Sequence, residues 1–130
     1  MDNLTIGAEY TVYAKANDSN TAEKMGSGSL EVLATPAVVA LMEKAACKVL
    51  EPYLDEGITT VGTLISVEHI SASPVGADIS AKAVLTGTDD RKYRFEVFAY
   101  DNAGLIAKGS HERFSVKSEK FIQKAKAKLG

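Results

Sequence analysis

The 130-residue sequence predicts an α+β fold in which one apolar helix lies against a long antiparallel sheet. Three observations carry that expectation. Residues 4 to 16 alternate in polarity as a strand does. Pro36 to Leu50 is the single strongly helical segment. After Gly57, four more strand-like stretches follow one another, separated only by short turn sequences.

In the first stretch Leu4, Ile6, Ala8, Tyr10, Val12 and Ala14 share one face. Met25-Gly26-Ser27-Gly28-Ser29 is the one low-complexity run and reads as a mobile loop or lid ahead of the helix. Thr35 suits an N-cap, and Pro36 suits the first helical position, where its missing N–H costs nothing. Val39, Glu43, Cys47 and Leu50 fall on one side of the helix, and Lys44, Lys48 and Glu51 on a wetter side. Ala37, Ala40, Ala45 and Ala46 keep it slim enough for close packing, and Pro52 follows its end.

The later strands span about residues 59–72, 76–88, 91–101 and 105–117. Their breaks are Ser73-Pro74-Val75-Gly76, Thr88-Asp89-Asp90 and Asp101-Asn102-Ala103-Gly104, short loops that favour antiparallel hairpins. Ser118 is a candidate cap for a last helix, Glu119 to Leu129, which carries Lys120, Lys124, Lys126 and Lys128. No second long helix is available, so the sheet must curl around the first.

The length fits one domain, residues 1–130. A net charge of −2, with 25% charged residues, points to neither nucleic acid nor a membrane surface as partner. No apolar run approaches the roughly 20 residues that span a bilayer. Met1-Asp2-Asn3-Leu4 lacks the basic-then-apolar pattern of a leader. Cys47 is the only cysteine, which excludes an internal disulfide and a multi-cysteine metal site. A cytoplasmic location is the resulting expectation.

Three residues are locally out of character. Thr35 puts a hydroxyl at a helix N-terminus, beside free N–H groups and the positive end of the dipole, where a thioester oxyanion would be stabilised. Glu43 puts a carboxylate on an apolar stripe; it is either a buried acid–base group or sits at the stripe's edge in solvent or an ion pair. His69 shares a strand face with Val61, Ile65 and Val67; it is either a satisfied core histidine or an imidazole that positions water or polarises a carbonyl. Together they fit an acyl-transfer or hydrolytic site.

Eight residues separate Thr35 from Glu43, roughly 12 Å along a straight helix. They cannot touch within one helix. Either a substrate spans the gap or a second protomer completes the site, and a dimer is the favoured arrangement. Cys47 reads as a small filler rather than a nucleophile. His111 and Arg113 share a strand face that could bind an anion, with a solvated edge as the default. No phosphate-binding loop, dinucleotide fingerprint, zinc-protease motif or nucleophile elbow is present.

Several of these pieces together resemble the fluoroacetyl-CoA thioesterase-like branch of the hotdog-fold thioesterases. They are Ala34-Thr35-Pro36-Ala37, Glu43 eight residues after the threonine, Val61-Gly62-Thr63, Val67-Glu68-His69, and Gly109-Ser110-His111-Glu112-Arg113. The resemblance extends from about residue 7 to residue 125. It implies a hotdog fold, with a sheet of about five strands wrapped around the long helix, and Thr35, Glu43 and His69 as the catalytic set.

It further implies that Gly62 lies close to the acyl group, and that Arg113 matches the arginine of the family's His-Glu-Arg motif. Arg113 and the basic C-terminal helix are then expected to grip coenzyme A phosphates. The expected function is hydrolysis of a small or medium acyl-CoA, with coenzyme A entering as part of the substrate. No metal or other cofactor is called for, because a thioester is already an activated acyl group. A homodimer, or a higher oligomer, is the expected assembly.

One departure bears on the substrate. Selectivity for fluoroacetyl in that family is associated with phenylalanines in the lid, whereas Lys24-Met25-Gly26-Ser27-Gly28-Ser29 contains no aromatic residue. The competing class is a non-catalytic acyl-CoA-binding module on the same fold. A hotdog dehydratase or hydratase ranks lowest, since its acid–histidine spacing differs.

Overall fold

Strand β1, Glu9–Lys15, opens the chain and is followed by a one-turn helix α1, Ala22–Met25, and the long helix α2, Thr35–Leu50. Four strands then run in succession: β2 Ile58–His69, β3 Asp78–Asp89, β4 Lys92–Asp101 and β5 Gly104–Lys117. Helix α3, Ser118–Lys126, ends the fold. The computed structural model describes residues 4–130; Met1-Asp2-Asn3, on which the leader expectation partly rests, lie outside the described residues.

The strands form one antiparallel sheet in the order β1-β3-β4-β5-β2. Helix α2 packs mainly on β3 and β1. Val38, Met42, Ala45, Ala46, Val49 and Leu50 bury against Ile79, Ala81, Ala83, Leu85, Phe95 and Val97. The alanines on both sides let helix and sheet approach closely, so the sheet can curl around the helix. This is the expected α+β hotdog arrangement of a sheet wrapped on a central helix.

Two details differ from the sequence expectation. The buried face of α2 runs through residues 38, 42, 45, 46, 49 and 50, so that of the expected stripe Leu50 is buried while Val39, Glu43 and Cys47, one position off that face, are only partly buried. The first strand is also shorter than the alternating stretch. Val12 is buried within it, but Tyr10 is 46% exposed and Ile6, ahead of it, is 60% exposed.

The segment ahead of α2 has its own local structure. The Thr21 hydroxyl accepts a hydrogen bond from the Lys24 N–H, 3.2 Å away, and starts α1. Gly26, at φ +74°, ends it in the left-handed conformation that glycine adopts without strain. The first two residues of the expected loop, Met25 and Gly26, are thus the end of a capped turn. The chain then enters α2 through backbone bonds from Leu33 N–H to Ser73 O and from Ala34 N–H to Asn20 O, each 2.9 Å. Ser73 is fully buried and donates to Asp101 Oδ2 at 2.7 Å, which, with the Ala103 N–H, holds that carboxyl below the usual carboxylate range. The helix entrance is therefore fastened to the end of β4.

Candidate active site

Thr35 is the first residue of α2 rather than its cap. Ala34 takes the cap position without a side-chain bond, and its carbonyl accepts from the Ala37 and Val38 N–H groups. Pro36 has no N–H to offer. Among the described residues this leaves the Thr35 N–H as the open donor at the terminus, fewer than the sequence expectation supposed. The exposed Thr35 hydroxyl turns instead to His69, with Oγ1 2.7 Å from Nδ1.

His69 closes β2. The Ile70 N–H bond to Ile106 O, 2.7 Å, anchors the chain just past it. The imidazole is half-buried, and Nε2 is buried with no hydrogen-bond partner among the described residues. A hydroxyl within hydrogen-bond reach of an imidazole is the geometry of a nucleophile and its base. Neither residue is a conventional core or capping group here.

Glu43 lies two turns along α2 and does not reach this pair. Its side chain is 39% exposed, and Oε2 stands 3.7 Å from Arg113 Nη1. It therefore occupies the stripe's edge in an ion pair, the second of the two sequence readings. Arg113 is 6% exposed overall, and its other donors are engaged as well. Nε donates to Thr60 Oγ1 and Nη2 to Thr60 O, both at 2.9 Å. The guanidinium is thus enclosed among protein groups of the same chain.

His111 belongs to the same cluster and is 1% exposed, not on a solvated edge. Its Nδ1 lies 2.8 Å from Leu64 O, a contact that requires Nδ1–H to donate. Nε2 is then free to accept from Arg113 Nη1 at 3.2 Å. Burial, with the nearby Arg113 charge adding to it, pushes the imidazole below its ordinary value, in keeping with one donating and one accepting ring nitrogen. The Leu64 carbonyl it holds sits at a break in the β2–β5 register between Gly62 and Leu64.

Gly62 stands at that break for a steric reason. A Cβ there would lie 2.9 Å from Glu43 Oε2 and 3.2 Å from both Arg113 Nη1 and His111 Cε1. Only glycine leaves the carboxylate where it is. Within one chain the predicted residues thus form two clusters: Thr35 with His69, and Glu43 with Gly62, His111 and Arg113. Thr60 and the structural role of His111 were missed from sequence, although the inward parity of residues 107, 111, 113 and 115 on β5 carried the signal.

The architecture is that of known thioesterases. A crystal structure of the fluoroacetyl-CoA thioesterase superposes with a TM-score of 0.92 at 31% identity, covering 98% of each chain. A thioesterase superfamily member from Thermus thermophilus shares the fold, with a TM-score of 0.89 at 24% identity over 99% of this chain and 98% of that one. The protein is a hotdog thioester hydrolase. The model of the fluoroacetyl-CoA-specific thioesterase family matches residues 16–119. The fluoroacetyl-CoA thioesterase of Streptantibioticus cattleyicolor is 38% identical over 98 residues, 75% of this chain and 70% of that relative. The chain belongs to the fluoroacetyl-CoA-specific thioesterase family.

Proposed function

We propose that the protein hydrolyses small or medium acyl-CoA thioesters at a site shared between two subunits, with Thr35 and His69 from one and Glu43 and Gly62 from the other. The observation that carries this reading is the 2.7 Å contact between Thr35 Oγ1 and His69 Nδ1. The related crystallised enzyme, in a variant form, is described in complex with fluoroacetate and CoA, which supports the choice of carrier.

In the proposed chemistry Thr35 Oγ attacks the thioester carbonyl carbon and passes its proton to His69 Nδ1. The oxyanion meets the Thr35 N–H and the positive end of α2. When the C–S bond breaks, His69 returns the proton to the departing coenzyme A thiolate. Water then cleaves the acyl-threonine ester: the Glu43 carboxylate takes one proton as the water oxygen bonds the acyl carbon, and that proton passes to the Thr35 alkoxide as the ester C–O bond breaks, releasing the acid. Direct attack by a water that Glu43 activates is the second reading, favoured by the partial exposure of that carboxylate beside Gly62.

The need for a second subunit comes from the separation of the two clusters. Strand β2 is at the sheet edge, so its outer side can pair with a second β2. Antiparallel pairing about a twofold near the register break brings the Gly62 region of one strand toward the His69 end of the other. That would unite the clusters.

The acyl group is inferred from the lid. It offers no phenylalanine, while Met25 and Leu30 are 46% and 67% exposed ahead of Thr35. An aliphatic acyl chain fits this surface better than selective capture of a fluoromethyl group. Free-thiol release from acetyl-, fluoroacetyl-, propionyl-, butyryl-, hexanoyl- and phenylacetyl-CoA tests the reading. Turnover is expected with the aliphatic thioesters and without preference for fluoroacetyl over acetyl. Absence of thiol release, with thermal stabilisation by the same compounds, would instead identify an acyl-CoA-binding module.

A further inference from the structure

His111 and Arg113 are buried polar groups to which the proposed chemistry gives no direct part. Burying an imidazole and a guanidinium together is unfavourable unless their polar atoms are engaged, and here they are engaged in a definite order. His111 stands on β5 in register with Ile65 of β2 and Phe95 of β4, with the Phe95 ring centroid 6.1 Å from its own. Its Nδ1–H donates to Leu64 O at 2.8 Å, beside the register break of β2, which leaves Nε2 to accept from Arg113 Nη1 at 3.2 Å.

The guanidinium is thereby held at three corners: Nε on Thr60 Oγ1, Nη2 on Thr60 O and Nη1 on His111 Nε2. Glu43 is a partner of another kind. Its Oε2 stands 3.7 Å from Nη1, an ion-pair distance too long for a hydrogen bond. The anchored cation fixes where the carboxylate stands without engaging its lone pairs. That carboxylate is 39% exposed and faces the space a Gly62 side chain would fill. Without the His111 acceptor, Glu43 is the one partner left to Nη1. Closing to a hydrogen-bonded pair would occupy the lone pairs that a base needs.

We infer that His111 is a positioning residue for Glu43: by accepting from Arg113 Nη1 it holds the guanidinium off the carboxylate, which stays free to take a proton from water. The inference rests on the base role given to Glu43 above. It holds whether the water attacks an acyl-threonine ester or the thioester itself. His111 touches no reacting atom and acts through Arg113 alone. Thr60 supports the same arrangement from the other two corners of the guanidinium.

The test is a double-variant cycle in the full chain, read as thiol release from butyryl-CoA. Glu43→Gln alone should lower kcat by about 10²-fold or more. His111→Leu alone should lower kcat by about tenfold or more, with KM little changed. His111→Gln, whose amide offers both a donor and an acceptor, should recover most of that loss. In the Glu43→Gln background, His111→Leu should have no further effect on kcat. Thr60→Val removes one corner at nearly constant volume; it should follow the same pattern more weakly, and it stands in if His111→Leu does not fold. In the native protein the chain's two histidine rings are read by ¹⁵N spectroscopy and assigned with His69→Ala. His111 should carry its proton on Nδ1 and none on Nε2.

Losses that multiply in the double variant would overturn the inference, because a general disturbance of the core, and not Glu43, would be their cause. Native kcat in His111→Leu, or a proton on His111 Nε2, would overturn it as well and leave Glu43 standing as the base. Native kcat in Glu43→Gln would instead refute the base reading itself, and the inference with it.

Discussion

Thr35→Ala is expected to reduce kcat for acyl-CoA hydrolysis by about 10²–10⁴-fold, the range associated with loss of a nucleophile and base acting together. The prediction follows from what Thr35 does not do. Its hydroxyl caps no backbone N–H, its side chain is exposed, and its one polar contact is the 2.7 Å approach to His69. Removing it therefore takes little from stability, and the melting curve of the variant should overlay that of the native protein. Thr35→Ser keeps the hydroxyl and should retain most of the rate. Steady-state thiol release beside a thermal melt separates the cases. A Thr35→Ala rate within a few-fold of native would remove the nucleophile from the account, and water-first chemistry would take its place.

Arg113→Met is expected to lower folding stability by about 2–4 kcal/mol. Breaking a fully buried pair costs about 3–5 kcal/mol, and the partial exposure of Glu43 reduces that. The substitution leaves the Thr60 hydroxyl and carbonyl, the His111 Nε2 acceptor and the Glu43 carboxylate without the donor they share. Lys92→Met is the control. The Lys92 side chain is 36% exposed against 7% for Arg113, and the loss of its 3.0 Å pair with Glu112 should cost no more than about 1 kcal/mol. Urea denaturation midpoints compare the two variants directly. Equal small losses would mean that the Arg113 network positions Glu43 without stabilising the fold.

Much of the fold was legible because β-strand alternation and short turn sequences are local signals. Strands expected at about 76–88, 91–101 and 105–117 compare with Asp78–Asp89, Lys92–Asp101 and Gly104–Lys117. The alternating first stretch extended beyond its strand because alternation continues ahead of Glu9, where regular pairing gives way to the bonds of Gly7 and Ala8 to Leu85 of β3. Helix α1 escaped notice because a single turn has no period, although Thr21 and Gly26 are a cap pair. At α3, Lys117 occupies the cap position and Ser118 is already helical, a one-residue displacement.

The site was legible in its residue types and less so in their roles. Whether a threonine hydroxyl caps a helix or meets an imidazole depends on a histidine 34 positions away, a tertiary fact that propensity does not contain. Arg113 looked like a surface cation because arginine usually is one. Its burial is decided by strand parity, which places His111, Arg113 and Ser115 inward together. Gly62 was noted through family resemblance. Its steric cause, the carboxylate and guanidinium that occupy the space of a side chain, is visible only in three dimensions.

The most direct test of a site shared between subunits is activity in a mixed dimer. Thr35→Ala and Glu43→Gln chains carrying different tags would be co-expressed, and the heterodimer isolated by sequential affinity steps. Each homodimer should be nearly inactive. The heterodimer should recover about half of the native rate, because one of its two sites combines an intact Thr35–His69 pair with an intact Glu43 while the other carries both lesions. A heterodimer as inactive as its parents would contradict the shared site and place Thr35, His69 and Glu43 in service of the same chain.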